Sequence, residues 1–366
     1  MRLFDPLLYE KVHLLIVLAF SFFYFFYLQP KRAEKLLQRT KSYYGIFIYA
    51  LVFIIVVGFR PVHHAFGDTI NYASTYSSYG QISERISTAR DSLFYSFMWL
   101  CSQFMSVSWF FFIIESLYIV PIVIGCYRLL RKNADIGILF CFAAFSFFTY
   151  GVNGIRNGVA LSLVFLAISY FRGPVWNKVI CAILSLLGIA IHASAALPVV
   201  CMVAASFIRK PKWFFYFWGV SILVSLIAGN AVSNMFAGLG FDERLSDYIL
   251  VDVDDNAFSH VGFRWDFLLY SSAPILLGWY VIKKRVYDNT YLLLLGTYIL
   301  ANAFWIMVIR AEYSNRFAYL SWFLYPIVLV YPLLKLRLWP KTQGQKSSLI
   351  MMAHLAFTLI MVFIHG

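Results

Sequence analysis

Five arginines stand at the edges of apolar segments in this chain: Arg60, Arg156, Arg264, Arg310 and Arg316. A guanidinium stays charged in any environment and presents a planar fork that grips phosphate through two donors at once. Arg156 is the most telling of the five. It falls in the first turn of an apolar helical stretch, where the helix dipole disfavours a cation. That placement makes sense if an anion sits there, held by the guanidinium and by free N–H groups of the helix start. Charges at the margin of apolar spans are functional by default; the plain alternative is anchoring to lipid headgroups. Asp68, Tyr72 and Tyr76 are spaced by four, which on a helix puts a carboxylate and two phenols on one face. Such a face suits a base and a sugar, or is an ordinary interfacial helix. His192, beside Ser194, is placed to accept or relay a proton. Glu312 and Asn315 share a short loop with Arg310 and Arg316, as a further acid near the anion-binding groups or as a simple ion-pair cluster.

Metal and nucleotide chemistry have little support. The stretch Asp252-Val253-Asp254-Asp255-Asn256 tempts a calcium reading, but Ala257 replaces the sixth-position glycine and Phe263 the twelfth-position glutamate of such a loop. A divalent cation there is only weakly signalled, and no metal or cofactor is expected. His63-His64 lacks a partner set, and no Walker loop, Rossmann glycines or nucleophile elbow occurs. The five cysteines sit in apolar runs without ligand spacing and read as packing residues.

The scaffold that must position these groups is set by composition. Apolar residues make up 61% of the 366 and charged residues only 13%, against roughly 25% charged in a soluble domain. Apolar runs recur along the whole chain, each close to the length a helix needs to cross the hydrocarbon core. The spans read as 13–28, 43–59, 109–127, 136–152, 155–171, 179–191, 194–208, 213–229, 266–282, 290–309, 317–334 and 348–364. The expectation is therefore an all-α, polytopic membrane protein of about twelve helices, a single membrane domain over 1–366 with no cleavable signal peptide. The net charge of +13 does not mean nucleic acid, because 20 of the 30 Lys and Arg cluster in six short loops that then share one side. With those loops cytoplasmic, 60–92 and 230–265 become extracytoplasmic loops, and Asp91 to Met105 lies on the outer interface. Two short hairpins face outward, one turning at Gly151 to Asn157 and one with His192 at its apex. Only Glu115 falls deep inside a span.

Several short motifs then line up. Phe59-Arg60 is followed by Gly67-Asp68-Thr69-Ile70-Asn71-Tyr72 and Tyr76, by Arg156-Asn157-Gly158-Val159-Ala160, and by His192-Ala193-Ser194-Ala195. Gly262-Phe263-Arg264-Trp265-Asp266-Phe267 and Asn315-Arg316-Phe317-Ala318-Tyr319 complete the series. In this order the set resembles the EpsG/Wzy-like polysaccharide polymerases of bacterial envelopes. Asn157, where the family often has glutamine, and the acidic run at 252–255 depart from the pattern. The resemblance implies a membrane glycosyltransferase joining oligosaccharide repeat units carried on undecaprenyl pyrophosphate. It would work at the periplasmic face of the inner membrane, in O-antigen, capsule or exopolysaccharide synthesis. On that reading Arg156, Arg264, Arg310 and Arg316 hold pyrophosphate, and Arg60 helps hold a second lipid carrier. Asp68, His192 or Glu312 takes the proton of the attacking hydroxyl, while Tyr72, Tyr76, Asn157 and Asn315 meet the sugars. A flippase and a chain-length regulator of the same pathway are the expected partners, with membrane lipids. The rivals are a lipid-linked oligosaccharide flippase and a surface-glycan ligase or acyltransferase.

Overall fold

A computed structural model of the chain describes residues 5–82, 91–238, 263–310 and 315–364. Every regular element among them is a helix. In chain order these are α1 (Tyr9–Leu28), α2 (Ala33–Leu37), α3 (Gly45–Gly58), α4 (Thr69–Tyr79), α5 (Ser92–Ser102) and α6 (Val107–Leu130). There follow α7 (Ala134–Phe142), α8 (Phe147–Val152), α9 (Ile155–Phe171), α10 (Val175–Ile191), α11 (Ala196–Phe207) and α12 (Lys212–Gly238). The last five are α13 (Trp265–Lys283), α14 (Asn289–Met307), α15 (Asn315–Trp322), α16 (Tyr325–Lys335) and α17 (Gln343–Ile364). Among the described residues six helical segments are long and apolar enough to cross a membrane, and four apolar helices are shorter. The chain is an all-helical, multi-pass membrane protein. Six long segments do not by themselves amount to twelve crossings.

The expected span 136–152 is in fact two helices, α7 and α8, with a break at Ala143 to Ser146. A helix that stops leaves its last carbonyls without donors, which is costly away from water. Here side chains supply them. His13 Nε2 donates to Phe142 O (3.0 Å), His354 Nε2 to Phe140 O (2.9 Å) and Thr358 Oγ1 to Ala143 O (2.8 Å). His13 Nδ1 then accepts the Tyr49 hydroxyl at 2.7 Å. Two buried histidines and a threonine thus make the break tolerable.

The chain divides into two compact units. The first comprises Met1–Ala196 and Val330–Gly366. In it α9 packs along α10 and α6, α6 along α3, and α1 along α17. The second unit, Leu197–Leu329, packs α12 on α14 and α14 on α15. Small residues and polar pairs set that packing. A Cβ on Gly296 would lie 2.5 Å from the Phe214 ring. Fully buried Asn302 accepts from Trp218 Nε1 (2.9 Å) and donates to Ser321 Oγ (3.1 Å).

Candidate functional site

Arg156 is the second residue of α9, just past the break at Asn153 and Gly154. The helix runs from there to the basic turn at Arg172, so Arg156 and that turn mark opposite ends. The guanidinium is held along one side. Its Nη1 donates to Asp91 Oδ2 (2.7 Å) and to the Tyr95 hydroxyl (3.1 Å), and its Nε donates to the Tyr72 hydroxyl (3.2 Å). Nη2 makes no hydrogen bond among the described residues, which leaves one edge of the fork open.

Asp91 is the hub. It precedes α5 in a left-handed backbone conformation (φ 51°), rare for a residue with a side chain, and its carboxylate is buried. Besides Arg156, Oδ2 accepts from His192 Nδ1 (3.0 Å), and Oδ1 accepts the Ala193 N–H (3.1 Å). Burial alone would raise this carboxyl. The His192 hydrogen bond and charge, the Ala193 N–H and the Arg156 charge together hold it below its ordinary value. Asp91 is therefore an ionised acceptor, so Nδ1 of His192 carries the proton. In the neutral form of the ring Nε2 is then the acceptor nitrogen, on a side chain one-fifth exposed. His192 takes an extended conformation at the end of α10, which turns its ring toward Asp91 rather than along the helix.

Tyr72 and Tyr76 share the buried face of α4, as their spacing predicts, but divide the work. Tyr72 receives Arg156, and burial raises its hydroxyl despite that positive neighbour. Tyr76 is one turn on and donates to Met105 O (2.8 Å); burial pushes it up to about 12. Asp68, just before α4, is exposed and turned elsewhere: its carboxylate accepts from Asn71 Nδ2 (3.3 Å). Its backbone N–H donates to Asn153 Oδ1 (2.9 Å), tying α4 to the turn that presents Arg156. Gly67 makes that approach possible, with φ +58° and a would-be Cβ only 2.5 Å from Asn153. Asn157 Oδ1 and Ser194 Oγ, next in sequence to the site, are buried without a hydrogen-bond partner among the described residues.

Within the first unit Arg60 stands outside this cluster. Arg60 is 2% exposed and paired inside the first unit with Glu115, too deep to meet a lipid headgroup; the expected contact with a second carrier has no surface to occur on. In the second unit, both sides of the Arg264 fork are taken by Asp266 (3.0 and 2.6 Å), over the Phe267 ring. Arg310 packs against Gly229, with its Nε buried and without a hydrogen-bond partner among the described residues. Arg316 follows Asn315, the first residue of α15. Glu312 and the acidic run at 252–255 lie outside the described residues.

Two residues of the cluster escaped the sequence reading, Asp91 and Tyr95. Asp91 reads as one loop acid among several, and its partners are 65 and 101 residues away in sequence. The one local signal is an acid placed directly before an apolar amphipathic segment.

A carboxylate that orients an imidazole beside an arginine with one open edge, at the end of an apolar helix, is the candidate site of this multi-pass membrane protein. The EpsG family model matches residues 43–366, and the chain belongs to that family. Membership implies a polysaccharide-polymerase-like function on a lipid-linked saccharide. No curated protein and no solved structure matches the chain.

Proposed function

We propose that this protein is a glycosyltransferase that polymerises oligosaccharide repeat units carried on undecaprenyl pyrophosphate, at the periplasmic face of the bacterial inner membrane. The observation that carries the reading is the Asp91–His192–Arg156 cluster. His192, held through Nδ1 by Asp91, takes the proton of the acceptor sugar hydroxyl on Nε2. The hydroxyl oxygen attacks the anomeric carbon of the growing chain. The bond from that carbon to the pyrophosphate oxygen breaks, and the lipid pyrophosphate leaves with the electron pair. Arg156 meets the growing negative charge with its open edge, a contact stronger in the transition state than before it. Tyr72 and Tyr95 fix the guanidinium, and Asn157 beside Arg156 is assigned to the sugar. Asp68, exposed before α4, is the alternative proton acceptor.

The orientation rests on the basic loops. The cluster lies at the end of α9 remote from the turn between Arg172 and Lys178, one of the six loops that hold most of the positive charge. On this reading 60–92 and 230–265 face the periplasm. The flippase that delivers the repeat unit and a regulator of chain length are the natural partners.

Deleting the gene tests the class. Single repeat units should remain on the surface lipid while the long-chain ladder disappears, and His192→Gln should reproduce that pattern at an unchanged protein level. Loss of all surface glycan, with units trapped in the cytoplasm, would instead identify a flippase and refute the polymerase reading.

A further inference from the structure

We infer that Arg60 and Glu115 form a positioning pair, which locks the α8–α9 turn to the start of α4 and so aims Arg156. The inference rests on the proposed role of Arg156. Glu115 is fully buried in α6, 3.7 Å from Arg60 Nη1, and neither of its oxygens accepts a hydrogen bond among the described residues. A carboxylate that bonds to nothing serves as a counter-charge, and what it permits is a guanidinium in the interior.

That guanidinium draws together three chain ends. Nη1 donates to Val57 O in the last turn of α3 (3.0 Å), and Nη2 donates to Thr69 Oγ1 at the start of α4 (3.3 Å) and to Val152 O at the end of α8 (3.3 Å). The Val152 carbonyl needs these partners. In a continuous helix the N–H four residues on would reach it, but the break at Asn153 and Gly154 intervenes. Thr69 Oγ1 also donates to Val152 O at 2.9 Å. The α8–α9 turn carries Arg156, and α4 carries Tyr72, which receives Arg156 Nε. Arg60 therefore sets the spacing between a site residue and the phenol that holds it. The Phe111 and Phe66 rings flank the guanidinium and seal it from solvent, which leaves no route for direct contact with substrate.

The test uses the full-length chain in membrane vesicles, with polymerisation followed against the concentration of lipid-linked repeat unit and normalised to an immunoblot. The double variant Arg60→Met, Glu115→Met removes both charges and fills the space. It should accumulate normally, yet lose about tenfold in kcat/KM, the value of one displaced charge-assisted contact. In an Arg156→Ala background the same double change should cost less than about twofold, because its effect passes through Arg156. Equal losses in both backgrounds, or no loss in the first, overturn the inference. If Arg156→Ala alone is silent, the proposed site fails and this inference with it, a result distinct from the other two. Should the double variant not reach the membrane, Thr69→Val removes only the shared hydroxyl at Val152 O. It must show a smaller loss with the same dependence on Arg156, and an additive loss overturns the inference equally.

Discussion

Within the first unit two buried aspartates each meet an arginine, and the two pairs are completed to different degrees. Asp135 is bound by both ends of the Arg39 fork (2.7 and 2.5 Å), by the Tyr24 hydroxyl (2.8 Å) and by the Tyr43 N–H (2.8 Å). Its side chain is fully buried and that of Arg39 nearly so. Both oxygens are engaged, and the pair staples residues 39–43 to the start of α7. Asp91 is bound by one end of Arg156 only, shares the same oxygen with a titratable imidazole, and sits in an unfavourable backbone conformation. The Arg156 side chain keeps 14% of its surface open, against 5% for Arg39. Identical residue types thus make a staple where both ends of the fork hold the carboxylate and a more open pair where only one end does. Strain and incomplete pairing persist where surrounding structure holds them in place, and they cluster where function needs them.

The sharpest way to break the comparison is to neutralise each aspartate. Asp91→Asn should cut polymerisation by about a hundredfold or more, since the imidazole loses the acceptor that fixes its proton on Nδ1. Protein level should change little, because the asparagine can still accept from Arg156. Asp135→Asn should do the reverse. It leaves Arg39 buried beside a neutral group, which costs about 3–5 kcal/mol, so the protein should be depleted from membranes while each surviving molecule keeps its KM. If both variants lower abundance alike and spare turnover, the Asp91 pair is another staple.

A smaller effect is expected from Arg156→Lys, which keeps the charge and discards the planar fork. Loss of a charge-assisted contact of about 1.5–3 kcal/mol corresponds to roughly ten- to a hundredfold in rate. Arg39→Lys serves as the paired measurement and should leave the rate per molecule unchanged. Near-normal polymer length from Arg156→Lys, at matched protein level, would reduce Arg156 to a headgroup anchor.

The mildest expectation concerns pH. The folded protein holds the Asp91 carboxyl below its ordinary value, so its contribution to stability is complete above the unfolded value of about 4. That contribution is lost only as pH falls through the lower folded value. Thermal unfolding of the detergent-solubilised protein and of Asp91→Asn should therefore differ by a constant amount from pH 5 to 7, with the gap closing below pH 4. A gap that closes between pH 5 and 7 would mean that Asp91 is not the ionised hub.

Composition alone determined the environment of this chain, because a surface with 13% charged residues cannot face water everywhere. Local position within predicted helices also picked out Arg156 and His192, which the structure brings to one carboxylate, since a cation in a first turn and a histidine at a hairpin apex are signals carried by a few neighbouring residues. The four-residue spacing of Tyr72 and Tyr76 placed them on one helix face for the same reason. What the tertiary structure alone decided is which charges meet. Asp91 becomes the hub only when α5, α9 and α10 bring residues 91, 156 and 192 together, and no periodicity records such a convergence. Arg60 looks like a boundary arginine in sequence. It is buried because Glu115, half a hundred residues on, supplies the counter-charge that lets a guanidinium leave water. The break between α7 and α8 is hidden by uniform apolarity, and His13, His354 and Thr358 from distant helices make it stable by supplying donors to its carbonyls.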